Sequence, residues 1–600
     1  MTDPAPVAET ILVAVAWPYA NADIHQGNVT GSYLPADIFA RYHRLRGNRV
    51  LMVSGSDSHG TPVTIKADAE GKAAAEIFRY YHQRFLELYQ RLGLSYDLFT
   101  HTDTENHHRV SQDFFLALLE RGYLFRKFSA QMYSPRTGRF LPDRYIEGTC
   151  PVCGYGRARA DQCDNCNTLF ESASELIDPR SSLDDSELEL RDTEHFYLDL
   201  PKLAGDGLAA WILDDKEHWR PQVLNFARNL ILREGLQSRA VTRDMDWGIP
   251  VPVEGWQGKV LYVWFEAVIG YLSASIEWAA NQGQPDAWRA WWFEPAARNY
   301  YFVGKDNIPF HSVFWPAQLI GAGPLYAQDS GRELNLPYDV PANAFMNMEG
   351  QKISGSRNWG VWMLDALERH DPDALRYYLT AAMPENRDSD WSWQGYIEAN
   401  NSVLVANWGN LVNRVLSMIG RYFDGVMPEP GQPTAAEAAL AAEVERGFEI
   451  VGGHYAACSF RAALQEVMAL SSRVNQYLEE TSPWLVFGQD PAAAGRALNA
   501  ALQAINGLKI LLAPVLPFSA QALHEILGEQ GQLFGRQRVE TYTEGAGSHQ
   551  ALTYDPAGAA GRWSASPIPA GRALGPARPL FKKLDDELAA DELARLGHSP

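Results

Sequence analysis

Short unbroken apolar runs alternate along the chain with longer stretches in which apolar positions recur every three or four residues. The run 11–16, Ile-Leu-Val-Ala-Val-Ala, has the texture of a strand buried on both faces. Pro18 ends it, Tyr19 to Ile24 reads as a loop, and a helical pattern follows over roughly 26–46. Residues 50–54 and 300–304 repeat the strand signature, and helical patterns cover 67–92 and 113–120. This alternation predicts an α/β fold: a doubly wound, Rossmann-like parallel sheet. From about Phe125 the texture changes to short strands and turns, and 196–200 reads as a strand leaving that insertion. The run Val-Leu-Tyr-Val-Trp-Phe-Glu-Ala at 260–267 leads into another helix, after which strand–loop–helix units resume. Beyond Asp371 the pattern is helical over 372–383, 400–422, 435–452, 459–481, 492–512 and 519–527, which predicts an α-helical bundle. Past Gln532 glycine, proline and alanine dominate with weak periodicity, as expected of a tail extended along the surface.

The expected division is therefore 1–122 and 236–325 for two halves of a nucleotide-binding domain. Residues 123–235 form the insertion, 326–385 a connecting region, 386–535 the bundle and 536–600 the tail.

Composition narrows this little except at cysteine. An apolar fraction of 46% with 12% aromatics suits large folded cores. No apolar run reaches the ~18–20 residues of a membrane span, and the first ten residues lack a basic segment before an apolar one. The cytoplasm is the expected compartment. A net charge of −21 leaves no basic footprint for nucleic acid. The local exception is Arg220, Arg228, Arg233, Arg239 and Arg243, either a docking patch or a solvated helix face. Four of the five cysteines (Cys150, Cys153, Cys163 and Cys166) form a C-x2-C-x9-C-x2-C cluster, with Cys458 alone. Two such turns present four soft ligands, which suits one tetrahedral zinc per chain. A disulfide is disfavoured by the expected compartment, and a redox pair by four clustered thiols. A full set of four thiolates closes the coordination sphere, so the site reads as structural.

Polar residues cluster just past the strand ends, where open α/β sheets bind ligands. His25 and Asn28 share the first turn of a helix whose free N–H groups and dipole favour an anion. Ser56-Asp57-Ser58-His59-Gly60-Thr61 follows the second strand, and Lys305-Asp306-Asn307, with His311 beyond, follows the strand at 300–304. No G-x-G-x-x-G follows the first strand, so a dinucleotide fingerprint is absent. Gln351 to Arg357 is a small polar loop carrying Lys352, Ser354 and Ser356, of the kind that closes over phosphates. Taken singly, each of these is more readily an ordinary helix start or surface turn.

Taken in order, these motifs resemble the class I aminoacyl-tRNA synthetases, and among them the methionyl-tRNA synthetases. The carriers are Ala16-Trp17-Pro18-Tyr19-Ala20-Asn21 with His25-x-Gly27-Asn28, which looks like the "HIGH" region, and Ser56 to Thr61. Further carriers are Leu141-Pro142-Asp143-Arg144 with the four-cysteine knuckle, Tyr262 to Ala267, and Val303-Gly304-Lys305-Asp306. Lys352-Ile353-Ser354-Gly355-Ser356 looks like the "KMSKS" loop. The likeness spans almost the whole chain.

The resemblance implies a methionine–tRNA ligase whose substrates are ATP with Mg2+, L-methionine and tRNA(Met), acting as a monomer with no membrane partner. It implies catalytic roles for His25, Asn28, Lys352, Ser354 and Ser356, with Gly27 also at the ATP. It implies a methionine pocket of Tyr19, Asp57, Trp264, Ala267, Tyr271 and His311, Asp57 accepting the ammonium. Asn410, Arg414 and Trp484 would read the anticodon. Four residues depart from the family pattern: Asn28 replaces the second histidine of "HIGH", Gly355 the second lysine of "KMSKS", Val268 a proline and Asn307 an aliphatic residue. Two alternatives stay open, a paralogue activating another amino acid and a catalytically weak tRNA-binding protein. The whole reading requires the segments near 25 and 352 to face each other across one nucleotide cleft.

Overall fold

The computed structural model describes residues 8–597 except 143, 144, 161, 162, 164, 167, 169, 171, 172 and 546, and not the side chain of Ser356. Asp143 and Arg144 therefore lie outside the described residues. The central sheet has seven strands in the order Ala342–Asn343, Arg298–Gly304, Thr10–Val15, Arg49–Ser56, Leu98–His101, Gly547–Asp555 and Arg536–Glu544. The first five are parallel. Thr10–Val15 lies in the middle, with Val13 between Tyr300 and Met52, and from Ile11 to Val15 it is buried on both faces. That is why it reads as an unbroken apolar run. From this strand the chain runs outward to Leu98–His101, then crosses back to place Arg298–Gly304 on the other side. The reversal of direction opens a crevice at the carboxyl ends of Thr10–Val15 and Arg298–Gly304.

The insertion separates these halves. Leu124–Ser134 pairs antiparallel with Glu189–Leu198 in a four-stranded sheet, and a smaller three-stranded sheet carries the cysteine turns. The helices at 26–45 are continuous, with a π-turn at Val29–Tyr33 just before Pro35. The single helix expected over 67–92 is two, Thr61–Glu70 and Ala74–Leu92. Gly71 stops the first by turning left-handed (φ 63°).

The C-terminal tail corrects the sequence reading. Arg536–Glu544 and Gly547–Asp555 form a hairpin, and Leu552 and Thr553 pair antiparallel with Phe99 and Leu98 on the catalytic sheet. Among the described residues of this hairpin only Ala551, Leu552 and Thr553 are buried, too few for a visible period. Further on, the helix Leu588–Leu593 docks through Glu592, whose carboxylate accepts from Arg369 (2.6 and 2.9 Å) and lies 3.3 Å from His370. The backbone N–H of Gly597 donates to Asn358 O at 3.1 Å, so the end of the described chain touches the loop after Lys352. Burial opposes ionisation of Glu592, but the hydrogen bonds from His370 and Arg369 outweigh it and hold the carboxyl at about 2, below its ordinary 4.5. A depressed carboxyl stabilises above its unfolded value and loses that contribution as pH falls through the folded one. The protection factors of amides in residues 585–597, taken against the intrinsic rate at each pH, are thus expected to fall between pH 4.5 and 2. Glu592→Gln should show the lowered protection already at pH 7.

One buried ion pair ties the layers together. The Arg376 guanidinium, on the helix Pro372–Ala381, donates to Asp37 Oδ2 (2.6 Å) on the first long helix. It also donates to Pro514 O and Val515 O of the bundle at 2.9 and 2.8 Å. Arg41 completes the pairing of Asp37 at 2.9 Å. Arg376→Met leaves that carboxylate with one cation fewer in a dry interior, an expected loss of about 3–5 kcal/mol. It should appear as a lower urea midpoint at an unchanged far-ultraviolet spectrum.

Candidate active site and metal centre

His25 caps the helix that starts at Gln26. Its Nδ1 accepts the Asn28 N–H (3.3 Å), while Asn28 Oδ1 accepts the His25 N–H (3.1 Å). Nδ1 is thereby an acceptor, so the ring's proton sits on Nε2 and is a donor for an anion. Burial lowers the His25 pKa to about 4, so at neutral pH the ring is an uncharged donor. With Oδ1 engaged, the amide N–H2 is what Asn28 offers; its side chain keeps the hydrogen-bonding role without the charge.

The Lys352 segment lies against this turn. Gln26 N donates to Val361 O (3.0 Å), Val361 N to Gln26 Oε1 (2.8 Å) and Met363 N to Ile24 O (2.9 Å). The His25 ring meets the Trp362 indole edge-on at 5.9 Å. A Cβ on Gly27 would stand 2.9 Å from Ile353 Cδ1, so glycine is what lets the loop approach this closely. Reciprocal backbone bonds between Ser354 and Trp359, both 2.9 Å, close the base of the loop. Lys352 is exposed two residues before that base. Ser356 lies in the turn Gly355–Arg357, its side chain outside the described residues. Gly355 has ordinary backbone angles, and a Cβ there would meet only Trp362, at 3.8 Å. Nothing steric demands glycine. Arg357, inside the loop, reaches back, its guanidinium donating to Lys352 O at 3.3 Å.

The second half of the site lies at the ends of the neighbouring strands. Tyr19 and Asp57 form a parallel bridge, with Ala20 N donating to Asp57 O and Asp57 N to Pro18 O. The Asp57 carboxylate is buried, and the backbone N–H of His59, at 3.3 Å, is its donor. Burial, reinforced by the charge of Glu266, pushes its pKa well above the usual range. Trp264 Nε1 donates to the Tyr19 hydroxyl (2.6 Å), forming a half-exposed aromatic rim. Tyr271 OH and His311 Nε2 are 2.7 Å apart, and His311 Nδ1 lies 2.9 Å from Asn307 O. Burial lowers the His311 pKa to about 4, so the neutral ring donates from Nδ1 and accepts the tyrosine proton. It is the backbone of Asn307 that holds His311, so its departure from an aliphatic residue leaves this pair intact. Ala267 and Val268 form the short turn Ala267–Ile269 beside them.

Sequence reading missed the layer beneath. The fully buried Glu266 is 2.9 Å from His59 Nδ1 and 2.7 Å from His107 Nε2. Burial opposes its ionisation, but these two imidazoles outweigh it and hold the carboxyl at about 2. The Trp17 indole fills the space above Gly55 and Gly270, where a Cβ would meet it at 2.1 and 2.6 Å. A carboxylate inside the apolar run 260–267 was the available signal.

The four cysteine sulfurs lie within 4.8 Å of one another, with Cys150–Cys166 at 3.8 Å and Cys153–Cys163 at 3.7 Å. Sulfurs about 2.3 Å from a tetrahedral zinc are about 3.8 Å apart, so the donor set fits a metal ion. Asp161 and Asp164 lie outside the described residues. Far from this, Arg414 lies over the Trp484 ring at 5.3 Å and pairs with Glu479 at 2.8 Å. Asn410 stands exposed one turn earlier on the same helix.

The arginine cluster is corrected in part. Arg220 turns inward, donating to Ala342 O, Glu385 O and Cys458 O. Arg243 stacks on Tyr262 at 3.7 Å. These two serve packing; Arg233 and Arg239 are exposed.

Two family models match the chain: "tRNA synthetases class I (M)" over residues 11–416, and "Anticodon binding domain of methionyl tRNA ligase" over 427–550. A methionine–tRNA ligase of Thermomicrobium roseum is 53% identical over 98% of this chain and 99% of its own length. One from Chloroflexus aurantiacus is 51% identical with the same coverage. Among solved structures, Mycobacterium tuberculosis methionyl-tRNA synthetase in complex with methionyl-adenylate superposes with a TM-score of 0.74 at 25% identity. That match covers 96% of this chain and 100% of the other.

Proposed function

This chain belongs to the methionine-type class I tRNA synthetases, and on that premise we propose that it is a methionine–tRNA ligase whose chemistry runs between the His25 turn and the Lys352 loop. The observation that carries the reading is the packing of Ile353 on Gly27, with buried Asp57 and the Tyr271–His311 pair at the neighbouring strand ends.

In the first step a carboxylate oxygen of methionine attacks the α-phosphorus of ATP. The new P–O bond forms as the α–β bridging bond breaks, and the electron pair leaves with pyrophosphate. Such transfer needs positioning and charge stabilisation rather than a protein nucleophile. His25 Nε2–H and the Asn28 amide donate to phosphate oxygens. Lys352 supplies positive charge from the facing loop, and Arg357 stands in for the lysine replaced by Gly355. Ser354 donates from the same loop. Magnesium enters with ATP and neutralises part of its phosphate charge. Asp57 receives the methionine ammonium, while Tyr19, Trp264, Tyr271 and His311, with Ala267 leaving room, surround the thioether, a soft group suited to aromatic contact. In the second step a hydroxyl at the tRNA 3′ end attacks the acyl carbon and AMP departs.

The four cysteines hold one structural zinc. Asn410, Arg414 and Trp484 form an anticodon surface, where arginine and asparagine read base edges and tryptophan stacks an unpaired base. Among the described residues no helix is long and apolar enough to cross a membrane. The cytoplasm and a monomer remain the proposed setting.

The test is ATP–pyrophosphate exchange with each of the twenty amino acids. Methionine should give the fastest exchange; another winner, or none, overturns the reading.

A further inference from the structure

A second group of metal-type donors lies apart from the cysteines, on the outer side of the Glu266 network. His59 follows the strand Arg49–Ser56, Asp103 follows Leu98–His101, and His108 is in the first turn of the helix Glu105–Glu120. Asp103 Oδ1 is 3.6 Å from His59 Nε2 and 3.4 Å from His108 Nε2. All three donor atoms lie within 4.8 Å of one another. Both separations exceed a charge-assisted hydrogen bond of about 2.7–2.9 Å. They match instead the ~3.4 Å between two ligands of one tetrahedral cation with bonds of about 2.0–2.1 Å.

Two further observations point the same way. The other nitrogen of His59, Nδ1, is 2.9 Å from the buried Glu266 carboxylate. That contact fixes Nδ1 as the donor and aims Nε2 outward, the arrangement by which a carboxylate orients a metal-binding histidine. His108 Nε2 is itself buried and has no hydrogen-bond partner among the described residues. The Asp103 and His108 side chains are 23% and 29% exposed, which gives an ion access from solvent.

We propose that His59, Asp103 and His108 bind one divalent transition cation of the zinc class, with a fourth position open to water. Two imidazoles and one carboxylate suit Zn2+ or Co2+ better than Mg2+, which takes oxygen ligands and stays largely hydrated. The His59 N–H donates to Asp57 Oδ1, so this ion would stiffen the loop that carries the proposed ammonium acceptor.

Cobalt titration of the purified full-length chain, stripped of metal, tests this. Wild type should bind two equivalents: one with intense near-ultraviolet thiolate charge transfer, and one with weak visible bands only. Cys150→Ser should weaken the thiolate signal and keep the second equivalent. His108→Ala should keep the thiolate signal and lose the second, and Asp103→Asn should weaken it at least tenfold. Asp103→Asn preserves side-chain shape and serves where His108→Ala is poorly folded, as judged by its circular dichroism. A single thiolate equivalent in wild type, or two equivalents of unchanged affinity in both variants, overturns the proposal.

Discussion

Alanine in place of Lys352 is expected to slow methionine-dependent ATP–pyrophosphate exchange roughly 30- to 1,000-fold, with the KM for methionine unchanged. The magnitude is that of removing one preorganised charge from a transition state, about 2–4 kcal/mol. The selectivity for rate follows from placement. Lys352 is exposed next to Ile353, which packs on Gly27, on the His25 side rather than against Asp57. With Gly355 in the family's second lysine position, the loop offers Arg357 as its other cation, so the loss is poorly compensated. Initial rates at saturating ATP and varied methionine separate the two parameters. An unchanged rate removes Lys352 from the phosphate.

Asp57→Asn should do the opposite, raising the KM for methionine by roughly 30-fold or more while leaving the KM for ATP within about twofold. Asparagine retains an oxygen to accept the His59 N–H, so the fold of the loop is kept and only the charge is lost. An unpaired ammonium at a buried site forfeits about 2–5 kcal/mol. The same exchange assay, or calorimetric titration with methionine alone, reads it; equal affinity for the two proteins would assign the ammonium elsewhere.

How far this site was legible in the sequence follows from how local each signal is. Thr10–Val15 and Arg298–Gly304 are buried almost throughout, and burial of both faces writes a continuous apolar run that needs no tertiary knowledge. The cysteine spacing is legible because two short turns hold all four sulfurs. The meeting of residues 25 and 353 is not written locally; it arises from the crossover that puts Arg298–Gly304 beside Thr10–Val15, and family resemblance alone anticipated it. Glu266 was passed over because its partners, His59 and His107, come from segments far away in the chain. Arg220 was misread for the same reason, since its three carbonyl acceptors belong to separate elements. The hairpin at 536–555 was taken for tail because its outer face is wet and few of its side chains are covered.

That hairpin has a consequence for biosynthesis. Leu98 pairs with Thr553, yet at 5–20 residues per second the ribosome needs roughly 20–90 s to travel from one to the other. For that interval Leu98–His101 is a bare sheet edge, the feature that invites pairing with a foreign strand. A nascent chain stalled before Gly547 exposes that edge for as long as the stall lasts, which makes the late-made hairpin the guard of the earliest-made sheet.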